Sequence, residues 1–314
     1  MARGRSFLPL LLATMLLAAG CGESEVAGPD AEANAIPGPA GSLRIAVGDP
    51  IETLDPLLAE TRAEHLASRQ IHEPLVSSQA GPFGQSRQRP GLARAIQPSA
   101  GDTAWTATLR DGVRFQNGQP FDADAVLANV DRWLAVAEGR ELLPELAEAF
   151  SPQPGQVQFL LSEPAPRFPQ RLADARLGLV APSALADVDT GLLTPAGART
   201  GTGPFELRER AGDRTLLARN IQWWGTPIGL GPGVDQIELT DLRDPRLRVD
   251  GLVGGSFEVA DELDAELART VEADPLLTVV RGGGAVLGME RSVRGIETAQ
   301  ADQPLADAWL TDIR

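Results

Sequence analysis

Tyrosine and lysine are absent from this 314-residue sequence, and cysteine occurs once, at Cys21. A single cysteine cannot form a disulfide within the chain, and it excludes a metal cluster built on several thiolates. The two histidines, His65 and His72, lie seven residues apart and therefore lack the i, i+4 spacing that binds one ion on a helix. We therefore expect no metal site.

Positive charge is also scarce, because 28 basic residues stand against 43 acidic ones and give a net charge of −15. Nucleic acid is excluded as a partner, since phosphate contacts need an excess of Arg and Lys. The acidity is typical of a soluble surface. A hydrophobic content of 43% with 23% charged residues is enough for a packed core in one large domain or two ordinary ones.

The amino terminus has the pattern of an export signal. Arg3 and Arg5 precede an uncharged apolar run from Phe7 to Ala19, which is too short to span a bilayer as a helix. We expect residues 1–20 to be a signal peptide. The run Leu17 to Cys21 resembles a lipobox, in which the thiol of Cys21 is acylated and becomes the new amino terminus. The alternative is an ordinary signal peptide followed by a stray cysteine.

Acylation would place the protein on the outer face of the bacterial cytoplasmic membrane, held by its lipid anchor. The segment after Cys21 is rich in Ala, Gly and Pro and has no apolar periodicity, so residues 21–42 are predicted to be the acylated cysteine and a flexible tether.

The first part of the folded region gives local predictions. Leu43–Val47 predicts a strand and Ala63–Ile71 a helix. Trp105–Leu109 alternates apolar and polar residues before Asp111-Gly112, which predicts a tight hairpin with Val113–Phe115 as the returning strand. Asn117-Gly118 predicts a further turn. Asp122 is a predicted N-cap for a helix from Ala123 to Ala137.

The later segments alternate between strand and helix. Val157–Leu161 is a predicted strand, and Phe205–Ala218 predicts two strands around a turn at residues 211–213. From Asp235 onward the pattern predicts strand, helix, strand, helix and strand, which implies parallel pairing through right-handed crossovers. In this interpretation Leu247 and Leu252 face inward from the first helix, and Phe257 belongs to the second strand. The end of the chain is therefore expected to be α/β, with an antiparallel insertion in the middle.

Recognisable catalytic motifs are missing from the sequence. No Gly-x-Ser-x-Gly elbow occurs, and Gly282-Gly283-Gly284 lacks the third glycine and the following helix of a dinucleotide loop. Asp122 and Asp124 are explained by helix capping and first-turn charge. Trp223-Trp224 is more typical of packing than of ligand stacking. The sequence predicts no enzyme and no cofactor.

Several segments, in order, resemble the peptide/nickel-type (family 5) solute-binding proteins of ABC importers. The strongest is WTATLRDGVRFQNGQPFDADAV, which runs from Trp105 to Val126. The others are Leu43–Pro56 with Glu73-Pro74-Leu75-Val76, Arg89–Ala93, Gly201–Leu207, Arg219-Asn220 with Trp223-Trp224-Gly225, and Val234–Ala260.

The resemblance implies an α/β fold with a periplasmic-binding-protein type II-like first lobe and an inserted mixed α+β subdomain. Residues 43–75 and 200–280 would form the first lobe, residues 76–199 the insertion, and residues 281–314 the hinge with an incomplete start of the second lobe. Asp302–Asp307 resembles the first helix of that second lobe, and the sequence ends at Arg314, so we expect most of the second lobe to be missing.

The resemblance also implies a role, which is extracytoplasmic binding of an oligopeptide-like solute for an ABC importer, incomplete as a single lobe, and it implies a solute site and partners. Glu60, Thr61 and Arg62 follow the Leu-Asp-Pro motif in a loop that faces solute in the family, and Gly203, Pro204 and Phe205 are weaker candidates, for which a simple turn is the alternative. The expected partners are ABC importer permease subunits and a small peptide or similar solute. A single lobe predicts weak binding, because one side of the solute stays in water.

Three other roles stay open from the sequence. The chain could be a surface lipoprotein that acts as an interaction module without transport, or the product of a truncated gene. A secreted enzyme is the remaining alternative, although no nucleophile and base can be paired.

Overall fold

The computed structural model describes residues 41–80, 86–99, 101–185, 199–282 and 285–290. Within them lie a seven-stranded sheet, a four-stranded sheet and a two-stranded sheet. The strands are β1 Ser42–Val47, β2 Val76–Ala80, β3 Ser86–Pro90, β4 Ala93–Ser99, β5 Ala104–Leu109, β6 Leu146–Phe150, β7 Gln156–Leu161, β8 Phe205–Ala211, β9 Arg214–Arg219, β10 Gln236–Asp241, β11 Val259–Ala260, β12 Leu277–Gly282 and β13 Ala285–Glu290.

Helices connect several of these strands. They are α1 Arg62–Ile71, α2 Ala123–Ala135, α3 Ala137–Leu142, α4 Phe168–Arg171, α5 Pro245–Val253 and α6 Ala265–Glu272, with short 3₁₀ turns at Ala175–Leu177, Pro182–Ala184 and Thr226–Ile228.

The seven-stranded sheet has the order β12-β13-β11-β1-β10-β9-β8. β1 pairs in parallel with both β10 and β11, and the remaining neighbours are antiparallel. Because side chains alternate along a strand, Leu43, Ile45 and Val47 of β1 point to the same face of the sheet. They pack there in one buried cluster with Leu66 and Ile71 of α1. Leu252 of α5 belongs to a separate buried cluster with Val271 of α6 and Leu277 of β12.

The strand and helix alternation predicted after Asp235 is confirmed, but the pairing differs in two ways. β1 lies between β10 and β11, and β13, which was not predicted, lies between β11 and β12 and is antiparallel to both. Two residue predictions were wrong: Phe257 lies outside β11, and Leu247 is 53% exposed. Leu252 is buried, as predicted.

The middle of the chain contains the expected antiparallel sheet, with the order β4-β5-β7-β6. Its core includes Trp105 of β5, Phe159 of β7 and Trp133 of α2. The predicted hairpin at Asp111-Gly112 is wrong, because β5 pairs with β4 and β7 and not with Val113–Phe115. The chain instead reverses at Asn117-Gly118, where the N–H of Phe115 donates to the carbonyl of Gln119 at 2.9 Å.

Asp122 caps α2 as predicted, since its side chain accepts a hydrogen bond from the N–H of Ala125 at 3.0 Å. The helix ends at Ala135, two residues before the predicted end, and α3 begins at Ala137. Cys21, the signal peptide, Gly283-Gly284 and Asp302–Asp307 lie outside the described residues.

Candidate functional site

The carboxyl ends of the parallel strands meet at one edge of the seven-stranded sheet. β1 ends at Val47, β10 at Asp241 and β11 at Ala260, and the registers of β10 and β11 on β1 align these ends. In open α/β sheets the crevice outside the carboxyl ends of the strands is the usual place for a ligand. This edge, with the loop that leads into α1, is therefore the candidate site.

An ion pair links the start of α1 to the end of β11. Nε of Arg62 donates to both carboxylate oxygens of Asp261, at 2.6 and 2.9 Å. The side chain of Asp261 is 2% exposed and that of Arg62 is 29% exposed. Asp261 also accepts from the N–H of Glu262 at 2.8 Å. The guanidinium of Arg62 is thus held in one orientation at the edge, and its Nη2 is buried without a hydrogen-bond partner among the described residues.

Arg248 of α5 joins the two segments that follow β10 and β11. It is 3% exposed, and it donates to the backbone carbonyls of Asp261 at 2.9 Å, Glu262 at 2.7 Å and Arg243 at 3.1 Å, and also to that of Leu242. A planar guanidinium with five N–H donors suits such a set of carbonyls. Arg248 therefore fixes the backbone that carries Asp261.

Glu262 adds a carboxylate to this edge in an unusual backbone conformation. Its φ is +55°, in the left-handed region that favours glycine. Burial raises the pKa of Glu262 above its ordinary value, and the carboxylates of Asp49 and Asp261 raise it further. Gly48 leaves room for this side chain, since a Cβ there would come within 2.4 Å of Oε2 of Glu262.

The structure places Glu60, Thr61 and Arg62 together at the amino-terminal end of α1, beside this edge. Glu60 is exposed and Thr61 is half-buried. Thr61 is the N-cap of α1, and its side-chain oxygen accepts from the N–H of Glu64 at 3.2 Å. Of the three, only Thr61 is fully explained by its local structure.

Gly203, Pro204 and Phe205 lie at the other end of α1, about 15 Å away for a helix of ten residues. The N–H of Gly203 donates to the carbonyl of Ile71 at 2.8 Å, and a Cβ on Gly203 would come within 2.4 Å of the carbonyl oxygen of Gln70. Phe205 is 0% exposed and belongs to the core. The structure thus gives these residues packing roles, and their part in solute binding stays a prediction.

The sequence analysis missed Arg248, Asp261 and Glu262. Asp261 could have been found, because a carboxylate directly after a parallel strand lies at the ligand edge of the sheet. Arg248 could not, because its role depends on where four backbone carbonyls converge in three dimensions.

A second polar cluster surrounds Glu73, which directly follows His72. Oε2 of Glu73 accepts from Nε1 of Trp224 at 2.8 Å, Oγ1 of Thr202 at 2.9 Å and Nε1 of Trp223 at 3.2 Å. Trp223 is 1% exposed, so it packs in the interior, as the sequence favoured. The carboxylate therefore satisfies both indole N–H groups of the pair.

A small cavity adjoins this cluster, with His72, Glu73, Ser77 and Pro204 among its lining residues and a volume of about 70 Å³. Pockets for small molecules usually measure about 300–1,000 Å³, so this one is too small for a peptide. Nε2 of His72 and Oγ1 of Thr200 form a hydrogen bond of 2.9 Å. Burial lowers the pKa of His72 to about 3, so its ring is neutral.

No group of three Asp, Glu, His or Cys side chains in the described residues is arranged to hold a metal ion. Within the same residues, no helix combines the length and the hydrophobicity that a membrane span requires.

Comparison with known proteins defines the class. Residues 87–310 match the family model described as bacterial extracellular solute-binding proteins, family 5 Middle. The chain therefore belongs to the family 5 bacterial extracellular solute-binding proteins, as its motifs predicted.

Individual relatives support the same conclusion. The nickel-binding periplasmic protein of Escherichia coli (strain K12) is 30% identical over 209 residues, which are 63% of this chain and 37% of the relative. The probable D,D-dipeptide-binding periplasmic protein DdpA of the same strain is 26% identical over 271 residues, which are 83% and 51%. The chain thus spans about half the length of the curated relatives it matches, or less.

The fold is shared with solved periplasmic binding proteins of mixed α/β structure. The crystal structure of NikA from Brucella suis in complex with Fe(III)-EDTA superposes with a TM-score of 0.65 at 25% identity, covering 76% of this chain and 48% of that one. The α/β class is confirmed. The absence of a second lobe and the domain boundaries stay predictions.

Proposed function

We propose that this chain is the extracytoplasmic solute-binding component of an ABC importer, and that Glu60, Thr61 and Arg62 contact the solute at the carboxyl edge of the seven-stranded sheet. The observation that carries the proposal is the Arg62–Asp261 pair, which fixes a partly buried guanidinium, 29% exposed, at the edge where α/β sheets bind ligands. Membership of family 5 supports the importer as the partner.

We propose a small peptide or a similar polar molecule as the solute. The relatives are named for nickel and for a D,D-dipeptide, and another, from Escherichia coli (strain K12), is a glutathione-binding protein. A charged edge with both signs, formed by Arg62, Asp49 and Glu262, suits a solute that carries both ammonium and carboxylate groups.

We also propose that the chain alone binds its solute weakly. The carboxyl edge of the described residues would contact a solute from one side, whereas small-molecule sites usually bury most of the surface of their ligand. Micromolar or tighter binding of a peptide by this chain alone would contradict this part of the proposal.

Isothermal titration calorimetry of the chain with trialanine, D-alanyl-D-alanine, reduced glutathione and Ni²⁺ tests the proposal. We expect saturable binding of at least one peptide probe, and at least about tenfold weaker binding by Glu60→Ala, a loss of about 1.4 kcal/mol. Glu148→Ala is the matched control, since Glu148 is an exposed acid of β6 in the four-stranded sheet.

A probe concentration of about 10 mM populates even complexes whose binding free energy is only about −3 kcal/mol. Absence of saturable binding for all four probes up to this concentration would contradict the proposed function. Equal affinities of Glu60→Ala and Glu148→Ala would instead contradict the assigned site.

A further inference from the structure

Glu64, the third residue of α1, is a buried carboxylate whose acceptor sites are all filled by backbone. It is 4% exposed. Oε1 accepts from the N–H groups of Glu52 and Thr53, and Oε2 from those of Glu60 and Thr61, each at 3.0 Å. A carboxylate has about four lone-pair sites, so these four amides saturate it.

The four amides belong to the two ends of one loop, Glu52–Thr61, which leads from β1 into α1 and is called the edge loop below. Glu52 and Thr53 begin the edge loop, and Glu60 and Thr61 end it. The side chain of Glu64 therefore closes the loop on itself. Thr61 reciprocates by accepting from the N–H of Glu64, which completes a capping box.

We propose that Glu64 is the positioning residue of the edge loop and, through it, of Glu60, Thr61 and Arg62. This inference rests on the proposed function for its consequence in solute binding, because those three residues are the assigned contacts. Its structural part rests only on the four hydrogen bonds and the burial of Glu64.

The negative charge of Glu64 is what the edge loop requires. Glutamine has nearly the same shape, but its NH₂ group donates, and it would face two backbone N–H groups that also donate. Burial by itself would raise the pKa of Glu64, but the hydrogen bonds from the four backbone N–H groups outweigh it and lower that pKa below its ordinary value. The side chain is therefore ionised at neutral pH.

Amide NMR spectroscopy of the full chain tests the proposal, with Glu64→Gln as the variant. In the wild type, the amide protons of Glu52, Thr53, Glu60 and Thr61 should shift together between about pH 6 and pH 3, with one midpoint below the ordinary glutamate value. In Glu64→Gln this shared titration should vanish, and the four amides should exchange with solvent at least about tenfold faster while the amides of β1 keep their wild-type rates.

Glu52→Gln is the matched control, because Glu52 is an exposed acid of the same loop whose backbone, and not its side chain, bonds Glu64. Glu52, Glu60 and His65 of α1 are titratable neighbours of Glu64, and β8 presents the charged Arg210 to the same loop, where its guanidinium donates to the carbonyls of Ile51 and Glu52. Glu52→Gln should keep the shared titration of the other three amides and their slow exchange.

Separate midpoints for the four amides in the wild type, or wild-type exchange rates in Glu64→Gln, would overturn the proposal. Equal acceleration of the β1 amides would also overturn it, since the effect would then not belong to the edge loop. If Glu64→Gln does not fold, the wild-type titration decides alone.

Calorimetry with trialanine, D-alanyl-D-alanine, reduced glutathione and Ni²⁺ separates this inference from the proposed function. A wild-type chain that shows the shared titration but binds none of the four probes contradicts the proposed function and keeps the positioning role. A Glu64→Gln variant that binds a probe as tightly as the wild type binds that probe contradicts the positioning role.

Discussion

At the scale of single residues, the buried pair of Asp55 and Arg132 joins the edge loop to α2. Nη2 of Arg132 lies 2.6 Å from Oδ2 of Asp55, and Nη1 lies 3.3 Å from Oδ1. The side chains are 6% and 0% exposed. Such a pair is costly to break from one side, because the remaining charge has no solvent and no partner of comparable geometry.

We therefore expect Arg132→Leu to lower the free energy of unfolding by about 3–5 kcal/mol. The double variant with Asp55→Leu should recover part of this loss, since it removes the stranded carboxylate. Urea denaturation followed by circular dichroism measures both. Arg94→Leu is the control, because Arg94 pairs with Asp111 on the surface, at 55% and 82% exposure. A loss below about 1 kcal/mol for Arg132→Leu, the size expected of a surface pair, would refute this reading.

Single residues also show what the sequence can and cannot predict. Asp122 was identified as a cap because capping is a local event between a side chain and an amide three residues later. Leu247 was predicted to face inward and is exposed. The helix α5 is short and apolar on more than one side, so the spacing of its apolar residues does not tell which side the sheet covers. The buried residues of α5 are Arg248, Val249 and Leu252.

At the scale of elements, the close contact between α1 and the segment at Gly203 explains why a glycine stands there. We expect Gly203→Ala to lower the free energy of unfolding by about 1–3 kcal/mol, because the added methyl group meets the backbone oxygens of Gln70 and Ile71. Gly231→Ala is the control, since nothing lies within 4 Å of a Cβ there, and it should change stability by less than about 0.5 kcal/mol. Thermal unfolding compares the two, and equal stabilities would show that the segment can move aside.

The anionic form of Glu64 has a consequence for the pH dependence of stability. Because its pKa is lower in the folded than in the unfolded chain, its contribution is complete above the unfolded value of about 4.3 and is lost as pH falls through the folded value. The stability difference between wild type and Glu64→Gln should therefore be constant near neutral pH and shrink in acid. Urea titrations at a series of pH values measure it, and a pH-independent difference would mean that the charge is not involved.

Elements with a strong local pattern were predicted well, whereas pairing was not. α1, α2 and the strands β1, β7 and β10 follow from periodicity and caps in their own segments. The hairpin at Asp111-Gly112 failed because a turn signal does not reveal that β4 and β7 already flank β5 on both sides. β13, which follows the glycine run Gly282-Gly283-Gly284, was not predicted.

At the scale of the whole molecule, acylation of Cys21 would decide where the protein resides. We propose lipid attachment to this residue from the lipobox-like run Leu17–Cys21. Each buried methylene of an acyl chain contributes about 0.8 kcal/mol to membrane binding, so the attached chains would hold the protein at the membrane. We expect the wild type in the membrane fraction of a bacterial host and Cys21→Ser in the soluble fraction. Metabolic labelling with a fatty acid should mark only the wild type, and equal labelling of both would refute lipidation at Cys21.

The placement of β1 has a kinetic consequence. Ile45 pairs with Val259, which emerges from the ribosome 214 residues later, whereas the four-stranded sheet is complete once β7 has been made. At typical synthesis rates the first strand waits roughly 10–40 s for its second parallel neighbour. The four-stranded sheet can therefore assemble before the seven-stranded sheet is complete, and during that interval the apolar side chains of β1 lack part of the sheet that buries them.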